Sequence, residues 1–358
     1  MNKLKKIKIK TKAVIHAYYQ SFLIFISKNL NKPLNKPTSI TINVTNNCNS
    51  HCQHCHLWQS KPEKQLTFTQ AKKIIDKLHN WLGNFYLFFT GGEPFLNKNL
   101  PKIIKYAQKK GIVCHVNSNA FLINKDLAKK IIDSKLDSIS ISLDGAKPST
   151  HNQIRGIPTA YQKTIQAIKL LQSGPKIYLN TVVMKPNIKE LIPLIKLSKK
   201  QKTNGVNFQC LLPTLSSQES IKEMKKGLLW PKYKKVKSEI KKIIKLNPTQ
   251  KENLLADNSY LHQIIDYYKN PITANQNVTC AAGINNFIVD NKGDVRLCFD
   301  MSPIGNIFSS SSKKIWLSPK AQQQRITIRK CQKLCKTTFC NKIDIHRQIK
   351  VESQNYNF

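Results

Sequence analysis

Between Ser39 and about Pro213 the apolar residues switch repeatedly between two periods, a strand-like run of few residues and a longer stretch with a helical repeat. Six runs read as strands: SITINVT, FYLFFTG, IVCHVNS, SISISLD, IYLNTVV and VNFQCLL, each leading into a loop. Amphipathic helices separate them, with Ala71, Ile74, Ile75 and Leu78 on one face of the first and Leu127, Ala128, Ile131 and Ile132 on one face of the third. Helix ends are legible as well. Thr67 with Gln70 three residues later predicts a capping box, and Gly111 predicts the end of the helix carrying Leu100, Ile103, Ile104 and Ala107. Strands and helices in alternation, joined by short connections, predict parallel β/α units.

Six such units fit a doubly wound open sheet or a partial barrel, and periodicity alone does not separate them. The polar positions do more. In SISISLD, Ile139, Ile141 and Leu143 alternate with Ser138, Ser140, Ser142 and Asp144, so one face of this strand is small and polar. A parallel strand covered by helices on both faces is nearly all apolar. The fold expected is therefore α/β, a partial (β/α)6 TIM-like barrel over residues 39–213, with a polar lumen and chemistry at the carboxyl ends of its strands.

The pattern changes on either side. Residues 1–38 read as a basic amphipathic helix, because Ile15, Tyr18, Tyr19, Phe22, Leu23 and Ile26 recur at helical spacing. The uncharged stretch from Ala13 to Ser27 is too short to span a bilayer comfortably, and no small-residue cleavage site follows it. Packing against the body is its ordinary role, with weak contact to a membrane surface as the alternative that its lysine-rich flanks suggest. Residues 214–276 are lysine-rich and helix-patterned and read as a connector. In residues 277–345, FIVD, NKGD and VRLCF spell a β-hairpin within a small cysteine-rich unit, and 346–358 form a tail.

Charge changes this picture little. The chain of 358 residues carries a formal net charge of +40, a balance that points first to nucleic acid. Nearly all of it is lysine scattered over helix faces, with arginine only at Arg155, Arg296, Arg325, Arg329 and Arg347, so no specific nucleic-acid partner is expected.

Cysteine changes it more. Eight of the ten cysteines fall in short-spaced clusters that suit a metal better than disulfides, which places the chain in a reducing cytoplasm. Cys114 and Cys210 lie in apolar runs as small hydrophobes. Cys48, Cys52 and Cys55, spaced CxxxCxxC, occupy the loop after the first strand. Three thiolates leave one iron of a 4Fe-4S cluster open to an outside ligand. Zinc is the competing occupant, with His51, His54 and His56 available to complete a tetrahedral site.

This loop after SITINVT, together with Gly91, Gly92, Glu93 and Pro94 at the end of the next strand, resembles the signature of the radical S-adenosylmethionine (SAM) superfamily. The resemblance implies that the open iron chelates the methionine moiety of SAM, with the glycines allowing close approach and Glu93 positioning an ammonium group or stabilising the loop. It also implies that Asn117 and Ser118, Ser142 and Asp144, and Arg155 contact the ribose and carboxylate of the cofactor. His54 stands where the family usually has an aromatic residue and is expected to pack on adenine. Cys280, Gly293 and Cys298 resemble the opening of the SPASM or twitch extension, and Cys331, Cys335 and Cys340 then supply further ligands. Five cysteines imply one auxiliary 4Fe-4S cluster held by four of them. The implied reaction is reductive cleavage of SAM to a 5′-deoxyadenosyl radical that takes hydrogen from substrate. Electrons would come from a low-potential donor such as flavodoxin or ferredoxin. A peptide or protein side chain is the expected substrate, a small molecule, sugar or lipid precursor the alternative, and a zinc-stabilised nucleic-acid binder the remote rival.

Overall fold

The structure, a computed structural model, describes residues 15, 18, 19, 22, 23, 26, 27, 30, 33–213, 221–246, 253–276 and 280–337. Cys340 and the tail 346–358 lie outside these residues. Strands β1 (Ser39–Thr45), β2 (Tyr86–Gly91), β3 (Val113–Ser118), β4 (Ser138–Ser142), β5 (Lys176–Val183) and β6 (Val206–Cys210) lie side by side in chain order, all parallel. The array does not close on itself, as a partial barrel requires.

Helices α1 (Phe68–Leu82), α2 (Leu100–Lys109), α3 (Lys125–Asp133), α4 (Pro148–Arg155), α5 (Ala160–Leu170) and α6 (Leu191–Lys200) form the crossovers. The capping box of α1 is present, and α1 buries Ala71, Ile74, Ile75 and Leu78. Gly111 follows α2 with φ 78°. Along β1, Ile40, Ile42 and Val44 are fully buried, while Thr41 and Asn43 alternate with them on the inner face. The same alternation puts Tyr86 and Phe88, His115 and Asn117, Ser138 and Ser140, and Tyr178 and Asn180 on that face. The inferred polar lumen is thus lined by serine, asparagine, threonine and aromatic side chains.

The hairpin expected near the C-terminus is present as β7 (Asn286–Val289) and β8 (Asp294–Arg296), with Gly293 at φ 85° in its turn and β9 (Gly305–Asn306) beyond. Its placement is new. β7 pairs in parallel with β1, so the hairpin extends the barrel sheet to nine strands, in the order β6-β5-β4-β3-β2-β1-β7-β8-β9. Helices α11 (Ser312–Trp316) and α12 (Pro319–Arg329) follow it.

The stretch read as a connector does more than connect. Of its helices α7 (Ile221–Lys226), α8 (Tyr233–Leu246), α9 (Asn258–Lys269) and α10 (Pro271–Gln276), α9 packs against β6 and α8 against α6. From α9, the buried Tyr267 hydroxyl donates to Leu211 O at 2.7 Å. The Tyr268 hydroxyl donates to Val183 O and accepts from Leu211 N at 2.8 Å. Main-chain groups at the ends of β5 and β6 that lack a further strand therefore find partners in tyrosine. Among the described residues, no helix is long and apolar enough to cross a membrane.

Candidate iron-sulfur and nucleotide site

The cysteine loop from Asn46 to His56 is clamped from two sides by main-chain contacts. On one side Gly92 N donates to Thr45 O at 3.0 Å and Glu93 N to Asn47 O at 2.8 Å. A Cβ at Gly91 would sit 1.9 Å from Thr45 O, and one at Gly92 would sit 2.2 Å from Asn47 O. The pair of glycines thus serves first to seat the cysteine loop, a sharper role than approach to a ligand. On the other side α4 ends against the loop: His51 N donates to Arg155 O at 3.1 Å and Gln53 N to Ile154 O at 2.9 Å. These amides satisfy carbonyls that a helix end leaves bare. Gly156, at φ 66°, allows the contact, since a Cβ there would lie 2.5 Å from His51 O.

Glu93 is buried, and its carboxylate accepts from Ser118 Oγ at 2.8 Å, Asn119 N at 2.7 Å and Phe95 N at 3.1 Å. These bonds brace the loop after β3. Burial pushes its carboxyl up to about 7, against the pull of those three donors. Asn119 in turn donates from Nδ2 to Asn49 Oδ1 at 2.9 Å, which ties the β3 loop to the cysteine loop. Ser118 is therefore engaged with Glu93, and Asn117 Oδ1 lies 3.3 Å from His115 Nε2. Ser142 remains half-buried at the inner end of β4.

Asp144 and Arg155 meet each other. The guanidinium Nη2 is 2.5 Å from the fully buried Asp144 Oδ2, and Nη1 reaches Cys52 Sγ at 3.4 Å. Burial alone would raise the Asp144 carboxyl, but the Arg155 charge outweighs it and holds it below the usual range. Asp144 N donates to His151 Nδ1 at 3.0 Å, which fixes His151 as a neutral ring; burial pushes it down to about 3. Asn187 Nδ2 donates to Asp144 O at 2.8 Å, and Glu190 accepts from Ala146 N at 2.7 Å, so the β4 loop is held from below. His151, Asn119, Asn187 and Glu190 belong to no motif in the sequence. Only His151 carried a signal, standing four residues before Arg155 on one helix.

Cys48, Cys52 and Cys55 lie within electrostatic reach of one another, and burial pushes the Cys48 thiol up to about 12. Cys280, Cys298, Cys331 and Cys335 form a second mutually interacting set, with Cys335 pushed up to about 12 and Cys298 to about 11, again by burial. Among the described residues, no three His, Cys, Asp or Glu side chains are drawn together as ligands of a single ion. The described thiols thus fall into two groups, one on the loop after β1 and one in the C-terminal unit. A third observation concerns polar atoms. Asn43 Oδ1, His54 Nδ1 and Arg155 Nε are buried around the first cysteine loop with no hydrogen-bond partner. Such atoms in a native fold call for a polar ligand.

The fold and site together define a partial parallel barrel carrying one three-cysteine loop and one four-cysteine set. The radical SAM superfamily model matches residues 42–198, and that of SPASM, an iron-sulfur cluster-binding domain, matches residues 280–341. Between them they take in more than half of the chain, which belongs to the radical SAM superfamily in its SPASM-bearing form. An AdoMet-dependent heme synthase from Methanosarcina barkeri is 30% identical over 162 residues, 45% of this chain and 46% of that protein. A PqqA peptide cyclase from Bradyrhizobium diazoefficiens is 25% identical over 38% of this chain and 36% of its own length. The chain spans less than half the length of these curated relatives. Streptococcus suis SuiB bound to precursor peptide SuiA shares the fold with TM-score 0.65 and 15% identity, over 84% of this chain and 70% of that one.

Proposed function

We propose that this chain is a radical SAM enzyme, and the observation that carries the reading is the three-cysteine loop with Arg155 against Cys52 and unpartnered polar atoms on Asn43, His54 and Arg155. Cys48, Cys52 and Cys55 would hold a 4Fe-4S cluster, and Asn43, His54 and Arg155 offer an acceptor, an imidazole and a donor to a ligand bound beside it. That ligand requires both donors and acceptors, as the amino-acid end of SAM provides. When bound, the cluster and SAM supply a one-electron cleavage that yields methionine and a hydrogen-abstracting 5′-deoxyadenosyl radical. The chain's own residues prepare the site. Gly91 and Gly92 seat the loop, Glu93 and Asn119 brace it, and Arg155 places a positive charge on Cys52 while Asp144 holds that charge in position. Of the remaining expected contacts, Pro94 keeps the turn after Glu93, and Asn117, Ser118 and Ser142 stand at the strand ends where ribose hydroxyls would reach them. Four of Cys280, Cys298, Cys331, Cys335 and Cys340 would hold the auxiliary cluster, and the first four of these are gathered among the described residues.

For substrate we favour a peptide or protein side chain. From β1 to β6 the inner face carries asparagine, serine, threonine, histidine, tyrosine and phenylalanine. Lys176, at the exposed starting end of β5, is the one lysine or arginine on it. A heme-type macrocycle bears carboxylates and would call for cations there. A neutral lumen suits an uncharged side chain presented on a peptide. A small molecule, as for the heme synthases similar to the first half of the chain, is the second reading. A low-potential carrier such as flavodoxin or ferredoxin would supply the electron.

The test is anaerobic reconstitution with iron and sulfide, then incubation with SAM and dithionite. The expected result is a brown protein that releases 5′-deoxyadenosine. A colourless, zinc-loaded protein that releases none would overturn the proposal.

A further inference from the structure

Residues 15, 18, 19, 22, 23, 26, 27 and 30 are helical. At 100° per residue, Ile15, Tyr18, Tyr19 and Phe22 fall within an arc of roughly 100°. All four are exposed: Ile15 by 64%, Tyr18 by 59%, Tyr19 by 54% and Phe22 by 58%. These are four of the six apolar residues expected to pack against the body; the other two, Leu23 and Ile26, are half-buried. The helix is nonetheless attached, and at its far end. Ser27 is fully buried, its Oγ accepts from Leu34 N at 2.8 Å, and its carbonyl accepts from Arg329 Nη2 at 3.4 Å. Asn35 Nδ2 donates to Ile284 O at 3.1 Å, beside the auxiliary cysteine unit. A helix held at one end thus leaves Ile15, Tyr18 and Phe22 exposed to solvent, a state that costs free energy unless something covers them.

The neighbouring sequence indicates what covers it. Lys3, Lys5, Lys6, Lys8, Lys10 and Lys12 precede the stripe, Lys28, Lys32 and Lys36 follow it, and the first acidic residue of the chain is Glu63. A stripe of isoleucine, tyrosine and phenylalanine flanked only by lysine matches a surface that is apolar within and anionic at its face. Tyrosine favours that boundary, having an apolar ring and a polar tip. We propose that the helix carrying Ile15, Tyr18 and Phe22, with the lysines that flank it in sequence, docks this chain on an anionic lipid bilayer and lies in the headgroup plane. It does not span, because the uncharged stretch from Ala13 to Ser27 would reach only about 22 Å as a helix, short of a hydrocarbon core of about 30 Å. The two contributions act together, apolar burial giving depth and the lysines giving lipid preference.

Co-sedimentation of the full chain with vesicles tests this. Vesicles of phosphatidylcholine mixed with phosphatidylglycerol should carry the protein down, phosphatidylcholine alone should carry little, and added salt should weaken the binding. Phe22→Glu, an exposed change, should cut binding roughly tenfold or more with an unaltered melting temperature. Replacing Lys5, Lys6, Lys8 and Lys10 by glutamine should remove the lipid preference. Absence of binding to anionic vesicles, equal binding to both kinds, or unchanged binding by Phe22→Glu would overturn the proposal. So would a dimer in sedimentation velocity that Phe22→Glu dissociates, since the stripe would then belong to a second copy.

Discussion

The two cysteine groups sit about the same sheet and are built in opposite ways. The first occupies a loop that makes few apolar contacts and is gripped through its main chain by β2, the β3 loop and the end of α4. Around it lie three buried polar atoms with no partner and one buried cation, Arg155, at 3.4 Å from a cysteine sulfur. The second is spread over three segments, with Cys280 before buried Ala281 and Ala282, Cys298 two residues past β8, and Cys331 and Cys335 after α12. Its charged neighbour is an acid, Asp300, which Lys333 Nζ contacts at 3.1 Å. Three thiols with orphaned polar atoms describe a site meant to receive something. The C-terminal unit has unpartnered buried atoms of its own, Asn275 Oδ1, Ser312 Oγ, Trp316 Nε1 and Gln324 Oε1, so what separates the two groups is the number of gathered thiols, three against four among the described residues.

The largest effect should come from the triad itself. Cys52→Ala should abolish 5′-deoxyadenosine release and roughly halve the iron bound, while Cys335→Ala should halve the iron and leave release measurable; iron analysis beside the cleavage assay checks both. Next comes the buried ion pair. Arg155→Met leaves Asp144 as an uncompensated buried charge and should cost about 3–5 kcal/mol in denaturant unfolding of the apoprotein. Removing Cys331, by contrast, touches no such pair and should leave apoprotein stability within about 1 kcal/mol of the parent. Gly92→Ala forces a Cβ against Asn47 O and should cost about 1–3 kcal/mol, with loss of the first cluster ahead of the second on titration with chelator.

The smallest effect is a dependence on pH. His151 is held neutral in the fold with its pKa pushed down to about 3, against about 6.5 unfolded. The unfolded chain binds the extra proton between those values, so stability is whole above about pH 6.5 and falls as pH drops toward 3. His151→Asn should flatten that slope in thermal melts of the apoprotein.

What was legible in the sequence follows from the range of the interaction concerned. Strands β1 to β6 could be read because each carries its own alternation, and the serine face of β4 disclosed the lumen. The capping box at Thr67 and Gln70 is local and was equally plain. The pairing of β7 with β1 joins residues some 240 positions apart, and nothing in FIVD announces its partner. The tyrosines of α9 looked like ordinary helix residues, because their role depends on main-chain groups left bare at β5 and β6. Within the site, residue types were visible and connections were not. Asp144 and Arg155 were expected to face the cofactor separately, yet low dielectric favours their contact with each other, and this places the guanidinium on Cys52. Asn119 and Glu190 bond to main chain across loops, which leaves no trace in spacing.

The central claim is that one site is open and the other closed. Electron paramagnetic resonance of the dithionite-reduced, reconstituted protein, recorded with and without SAM, tests it most directly. The account predicts two reduced-cluster signals, of which SAM shifts one; that one vanishes in Cys52→Ala, and it persists with its shift in Cys335→Ala. A spectrum in which SAM shifts neither signal, or shifts the one that Cys335→Ala removes, would contradict it.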